Sequence, residues 1–109
     1  MERDKDFVYL NRFVWDTHKN ELNKINHKIS FELAVRIFND PRMIIQYDEK
    51  NSTDEEERWK CVGRDVQNGQ FRTLTVSMTE RGNLKRIFSA RKANATEIKD
   101  YEQNASAYL

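Results

Sequence analysis

Hydrophobic and polar residues alternate most regularly from Phe71 to Glu80, where Leu74, Val76 and Met78 interleave with Thr73, Thr75, Ser77 and Thr79. A period of two marks a strand with one face in a core and one face polar. The flanking stretches Arg58 to Arg64 and Leu84 to Ala90 also read as strands, and in the first Trp59 and Cys61 alternate with Arg58, Lys60 and Arg64. Asn68-Gly69 and Gly82-Asn83 accept positive φ cheaply, so the three strands form an antiparallel meander. Upstream the period lengthens. Phe31, Ala34, Val35 and Phe38 fall on one helical face, with Ser30 as cap and Asp40-Pro41 as the stop. Phe13-Val14-Trp15 reads as a strand running into a helix, about Thr17 to His27, that Asp16 caps and whose thin apolar stripe is Leu22 and Ile25. Met43 to Tyr47 is another strand, and Phe7 to Leu10 a short one within an extension, residues 1–12. The last helix starts near Asn94, which has capping-box spacing with Glu97, and lines up Ile98, Tyr101, Ala105 and Tyr108. Helices followed by strands predict one α+β domain over residues 13–109. Its compact antiparallel sheet carries the N-terminal helices on one face, a C-terminal helix, and hydroxyls and cations on the other face.

Composition narrows this picture. A chain of 109 residues holds one domain, and although only 38% is hydrophobic and 34% charged, six Phe, four Tyr and two Trp supply a core. No stretch approaches the roughly 20 apolar residues of a membrane span, and the charged start Met1-Glu2-Arg3-Asp4-Lys5-Asp6 leads into no long apolar run. The lone Cys61 excludes an internal disulfide and paired-cysteine zinc patterns. A cytoplasmic protein is expected. The net charge of +1 conceals an asymmetry: Asp48 to Glu57 holds six acids and one base, Lys50, whereas Arg81 to Lys92 holds five bases and no acid. A basic block opposite an acidic loop suits a negatively charged ligand, although from charge alone a solvated strand edge is the better reading.

Four segments in order then become recognisable. They are Phe13-x-Trp15-Asp16; Asn23-x-x-x-His27 with Ser30-Phe31-Glu32-x-Ala34-x-x-x-Phe38-x-Asp40-Pro41; Glu57-Arg58 with Gly63; and Thr79-Glu80-Arg81-Gly82 through Arg86-Ile87-Phe88-Ser89-Ala90-Arg91-Lys92-Ala93, closing with Glu97 and Tyr101-Glu102. From Phe13 to Glu102 the chain resembles the BrnT family of bacterial toxins. The resemblance implies a ribonuclease toxin with a sheet-and-helix fold like that of the RelE toxins. It also implies a BrnA-like antitoxin whose ribbon-helix-helix part binds operator DNA, so that the toxin meets DNA only through that complex. The family's Lys-His-Gly is replaced here by Asn26-His27-Lys28; a glycine just past the helix end takes left-handed geometry, which costs Lys28 more.

A ribonuclease that needs no metal uses the RNA's own 2′-hydroxyl as nucleophile. It requires a base for that proton, cations for the charge growing on phosphate, and an acid for the departing 5′-oxygen. Arginine suits the middle task, gripping phosphate with two parallel hydrogen bonds. Arg58, Arg81, Arg86 and Arg91 are the candidate clamps, with Lys60, Arg64, Arg86 and Lys92 as RNA contacts. In a regular strand Arg86 and Arg91 cannot face the same way, which assigns one of them to structure or to the antitoxin. His27 and Glu80 are the candidate proton carriers, with Lys92 and Tyr101 behind them. Each has an ordinary alternative: His27 as a helix-end residue, Glu80 as half of a structural ion pair with the adjacent Arg81, any arginine as a surface charge.

Metal and cofactor chemistry has little support. His18 and His27 are too far apart for a helical metal pair, and Asp54 to Glu57 lacks the glycine and spacing of a calcium loop. Trp15, Phe31 and Phe38 read as core, while Trp59 and Tyr47 read as either core or base-stacking platforms. No cofactor and no metal are expected. The competing reading is a non-catalytic interaction module, or a degenerate toxin, whose basic sheet face holds an antitoxin or nucleic acid without cutting it.

Overall fold

A computed structural model describes residues 6–67 and 69–106. Its strands are β1 (Phe7–Leu10), β2 (Phe13–Asp16), β3 (Ile44–Tyr47), β4 (Trp59–Gln67), β5 (Gln70–Arg81) and β6 (Leu84–Lys92). The helices are α1 (Thr17–His27), α2 (Phe31–Ala34), continued as a 3-10 segment Val35–Asn39, and α3 (Ala95–Ser106). All six strands join one open sheet in the order β1-β2-β6-β5-β4-β3, so the mixed α+β reading holds. The meander β4-β5-β6 is antiparallel as its alternation predicts. Beside it β2 pairs with β6 in parallel, a pairing invisible in the local pattern, and β1 pairs antiparallel with β2 as the sheet edge. Gly69 and Gly82 take positive φ in the hairpins, while Asn68 lies outside the described residues.

The core fills the space between one sheet face and the N-terminal helices. Cys61, Leu74, Val76, Met78, Ile87 and Ala90 meet Trp15, Ile29, Phe31, Ala34, Val35 and Ile37, with Phe13, Phe38, Met43 and Trp59 at its border. Ser30 caps α2 by accepting from the Leu33 amide at 3.2 Å. The helix then tightens to a 3-10 segment after one turn. A 3-10 helix has three residues per turn, so Phe31, Ala34 and Ile37 are fully buried and Phe38 only partly. The i+7 position of an α-helical stripe is thereby replaced by Ile37. Close packing here demands Gly63: a Cβ on it would stand 3.0 Å from Ile37 Cβ and 3.2 Å from Met43 Cγ.

The expected apolar stripe of α1 is overturned. Leu22 and Ile25 are exposed, and the residues α1 buries are Asn20 and Asn23. Beyond its short pairing with β2, β6 turns toward α1, where Asn23 stands in for a neighbouring strand. Its amide donates to Ala90 O at 2.8 Å and accepts from Ala90 N at 3.1 Å, and also donates to Ile29 O at 2.9 Å. Asn20 accepts from the Phe31 amide at 2.8 Å and donates to Glu32 at 2.7 Å. Polar groups outcompete apolar ones at these positions because buried backbone groups need partners. Asp16 caps α1 through the His18 amide at 2.8 Å, as its place in the sequence predicts. Lys28 ends the helix in left-handed geometry at φ 61°, so the residue in the family's glycine position adopts the glycine's conformation.

The other sheet face is not left bare. α3 packs on β4 there, and Val62 is fully buried although it sits among Arg58, Lys60 and Arg64 on the outward parity of that strand. The capping box forms as predicted, with Asn94 Oδ1 accepting from the Glu97 amide at 2.8 Å and Glu97 accepting from the Asn94 amide at 2.9 Å. Tyr101 is buried and Ile98 half-buried; the Ala105 side chain and Tyr108 lie outside the described residues. A β-bulge adds the last feature. Ser77 pairs with Ser89 but Met78 with Ile87, so Phe88 is an extra residue in β6. Arg86 then lies opposite Thr79 and Arg91 opposite Thr75, on one and the same face. The expectation that these two arginines must face apart is corrected by that single inserted residue.

Candidate ribonuclease face

The loop between β3 and β4 is built to aim Arg58. Asp48 accepts from the Asn51 amide and side chain at 3.3 and 2.9 Å, which turns the chain. Ser52 Oγ then holds both backbone groups of Arg58, accepting from its N–H at 2.8 Å and donating to its carbonyl at 3.2 Å. Thr79 fastens the far end by donating to the Glu57 carbonyl at 2.6 Å. The acidic stretch is a loop fastened to the sheet at these points, and its Glu49, Asp54, Glu55 and Glu57 are exposed to solvent.

Glu56 lies between two of the candidate clamps. Its carboxylate accepts from Arg58 Nε at 3.1 Å on one oxygen and from Arg81 Nη2 at 3.0 Å on the other. Partial desolvation would push its pKa up, but the Arg81 and Arg58 hydrogen bonds win and hold it below the usual carboxylate value. Beside this pair the bulge residue Phe88 lies under three cations. The Arg58 guanidinium lies 4.0 Å from the ring centroid, Lys19 Nζ 5.1 Å and the Arg86 guanidinium 5.6 Å. Arg58, Arg81 and Arg86 thus gather on one patch of the outward face, with hydroxyls of Thr79 and Ser77 along its strand.

Further along the same face Arg91 is engaged differently. It grips Glu97 with both terminal nitrogens, at 2.7 and 2.9 Å, and Thr75 donates to the same carboxylate at 2.8 Å. Burial raises the Glu97 pKa, yet these donors outweigh it and bring the group down to about 2. The Glu97 hydrogen bonds in turn raise the Arg91 pKa. Lys60 Nζ stands 3.9 Å from the second Glu97 oxygen. This cluster ties the start of α3 to the sheet.

One turn further along the same face of α3, Tyr101 donates to Asp40 at 2.5 Å, and the Arg64 amide donates to the same oxygen at 2.8 Å. Burial first, and the hydrogen bond to Asp40 second, push the Tyr101 hydroxyl up to about 12. The Arg64 side chain lies over the rings of Tyr101 and Phe71, at 5.3 and 5.7 Å, in a cleft of about 530 Å³. Burial likewise pushes the Cys61 thiol up to about 12, as befits a core cysteine.

Residues 15–97 match the family model described as "Ribonuclease toxin, BrnT, of type II toxin-antitoxin system". The chain belongs to the BrnT family. Membership of a type II system implies an antitoxin partner for this chain, and ribonuclease activity is a property of the family. No curated protein matches the chain in sequence. The BrnT match contains Arg58, Arg81, Arg86, Arg91 and Glu97, and it begins after β1. No helix among the described residues is long and apolar enough to cross a membrane.

Within this BrnT fold the two candidate proton carriers stand apart from the arginine patch. Glu80 takes the opposite parity from Arg81 and pairs across the hairpin with Lys85 at 2.6 Å. His27 is exposed at the end of α1. Lys19 reaches Phe88 and Asn23 reaches Ala90, because four helical residues and two strand residues both advance about 6 Å. Three groups escaped sequence reasoning: Glu56, Phe88 and Ser52. Glu56 was hidden among acidic neighbours, and Phe88 by a bulge that breaks strand parity. Of the two undecided aromatics, Trp59 borders the core and Tyr47 packs edge-on against it at 5.0 Å.

Proposed function

We propose that this chain is a metal-independent endoribonuclease that cuts RNA at the patch formed by Arg58, Arg81 and Arg86. One observation carries the reading: Arg58 and Arg81 hold the two oxygens of the Glu56 carboxylate at 3.1 and 3.0 Å, the arrangement in which two arginines would grip a phosphate. Substrate phosphate displaces Glu56 from this fork, and the arginines stabilise the charge that grows as the 2′-oxygen bonds to phosphorus. The bond to the 5′-oxygen breaks, leaving a 2′,3′-cyclic phosphate and a 5′-hydroxyl. A base takes the 2′ proton and an acid supplies one to the 5′-oxygen. The displaced Glu56 carboxylate is the acid–base group closest to this centre, while Glu80 and His27 would act from its margins. Lys60 and Arg64 extend the cationic path along β4, and Arg91 and Lys92 extend it along β6. A BrnA-like antitoxin with a ribbon-helix-helix part silences the toxin in the cytoplasm, and operator DNA is reached only through that complex.

The test is induced expression of the chain alone in bacteria, with electrophoresis of total RNA, beside Arg58→Ala and Arg81→Ala. Growth arrest with fragmented RNA, relieved by co-expression of the antitoxin and weakened roughly a hundredfold or more in either variant, is expected. Glu56 and Arg58 are half-buried and Arg81 is exposed, so each ion pair contributes on the order of 1 kcal/mol to stability and the variants stay folded. Normal growth with intact RNA from soluble protein would return the chain to the class of binding modules.

A further inference from the structure

The edge strand β1 lies outside the family match, and every one of its residues is an exposed large hydrophobic. Its register shows which of them share the face of the arginine patch. Tyr9 pairs with Val14, Val14 with Arg86, and Arg86 with Thr79, so one row runs across four strands. Paired residues in adjacent strands point to the same side. Phe7, two residues from Tyr9, therefore joins them on that side. The contact is direct: the Arg86 guanidinium lies 5.2 Å from the Phe7 centroid and 5.6 Å from that of Phe88. Phe7 is 37% exposed and Tyr9 66%, so both rings offer open surface.

We infer that β1 supplies a base-stacking subsite for single-stranded RNA on one side of the clamped phosphate, with Phe7 and Tyr9 as its platforms. The inference rests on the ribonuclease reading and says where the rest of the strand goes. Adjacent strands lie about 4.8 Å apart, so Tyr9 is about 10 Å from Arg86, within the reach of the next one or two nucleotides. Rings interleaved with guanidinium groups suit bases carried on a polyanion, since every base has a π-face and every linkage a negative charge. The same interleaving argues against an apolar protein segment, which would have to cover the Arg86 guanidinium without neutralising it.

The experiment measures binding of uncleavable 2′-O-methyl RNA, four and twelve nucleotides long, to the full chain and to a Phe7→Leu/Tyr9→Leu double variant. Leucine keeps the apolar area and the strand but removes the π-face, and Phe7→Tyr/Tyr9→Phe is the conservative control. The expected result is that the affinity gained by lengthening the RNA falls about tenfold or more in the leucine variant and returns in the control. An unchanged length effect in the leucine variant overturns the subsite. So does a variant that keeps RNA affinity but loses its antitoxin, which would make β1 a protein-docking edge. If the unaltered chain binds neither RNA, the ribonuclease reading falls first and the subsite with it. Matching thermal melts for the three proteins separate these results from misfolding.

Discussion

Neutralising Glu97 tests the claim that the Arg91 cluster holds α3 on the sheet. In Glu97→Gln the carboxylate that accepts from Arg91, Thr75 and Asn94 becomes an amide, whose NH2 would face an arginine donor. The folded chain holds the Glu97 carboxyl at about 2 against an ordinary 4.5, which corresponds to about 3 kcal/mol favouring the ionised folded form. The side chain is only 5% exposed, so water screens little of this. Its folded pKa is depressed, so the contribution is complete above about pH 4.5 and disappears as pH falls toward 2. Urea unfolding of both proteins at several pH values reads it directly. At pH 7 the variant's midpoint should fall by roughly 1.5 M for an m-value of roughly 2 kcal/mol per M. The gap between the two proteins should hold from pH 7 to 5 and close between about 4.5 and 2. A gap that stays constant to pH 2, or none at pH 7, would refute the argument. Comparing each variant with its parent removes the other carboxylates, which titrate in both.

Three further outcomes follow from the packing. Asn23→Ala should cost about 3 kcal/mol in chemical unfolding, because it strands buried Ala90 N–H and C=O groups together with Ile29 O. Lys28→Gly should raise stability by roughly 1 kcal/mol, read as a higher melting temperature, since φ 61° suits glycine. Gly63→Ala should cost about 1–3 kcal/mol by driving a methyl group against Ile37 and Met43, and a melt unchanged from that of the parent would show that the contact can relax.

The meander and the three helix caps were legible because they depend on local chemistry: alternation in β5, Asp16 before α1, Ser30 before α2, and Asn94 three residues before Glu97. What the sequence concealed depends on distant partners. Leu22 and Ile25 looked like the buried stripe of α1, but that side of the helix must satisfy β6 and Phe31 backbone groups, and only Asn23 and Asn20 can do so. The parallel β2–β6 pairing joins segments some seventy residues apart and leaves no local trace. The arginines of the patch could be nominated by residue type, but not Glu56, whose role comes from a loop that Ser52 and Thr79 fold back. Arg91 stood among the clamps, and the structure gives its two-pronged grip to Glu97.

The extra residue at Phe88 also limits how this gene segment can vary. Substituting Phe88 would alter the cationic patch but leave the directions of its neighbours intact. Deleting it would restore strict alternation and turn one arm of β6 over. Either Arg91 would move to the core side and expose Ala90, or Arg86 would turn inward and Ile87 outward. Inserting a residue would do the same. The stretch from Arg86 to Arg91 is therefore constrained in length more tightly than in composition. Relatives of this chain that keep both arginines on one face should keep four residues between them, whatever those four residues are.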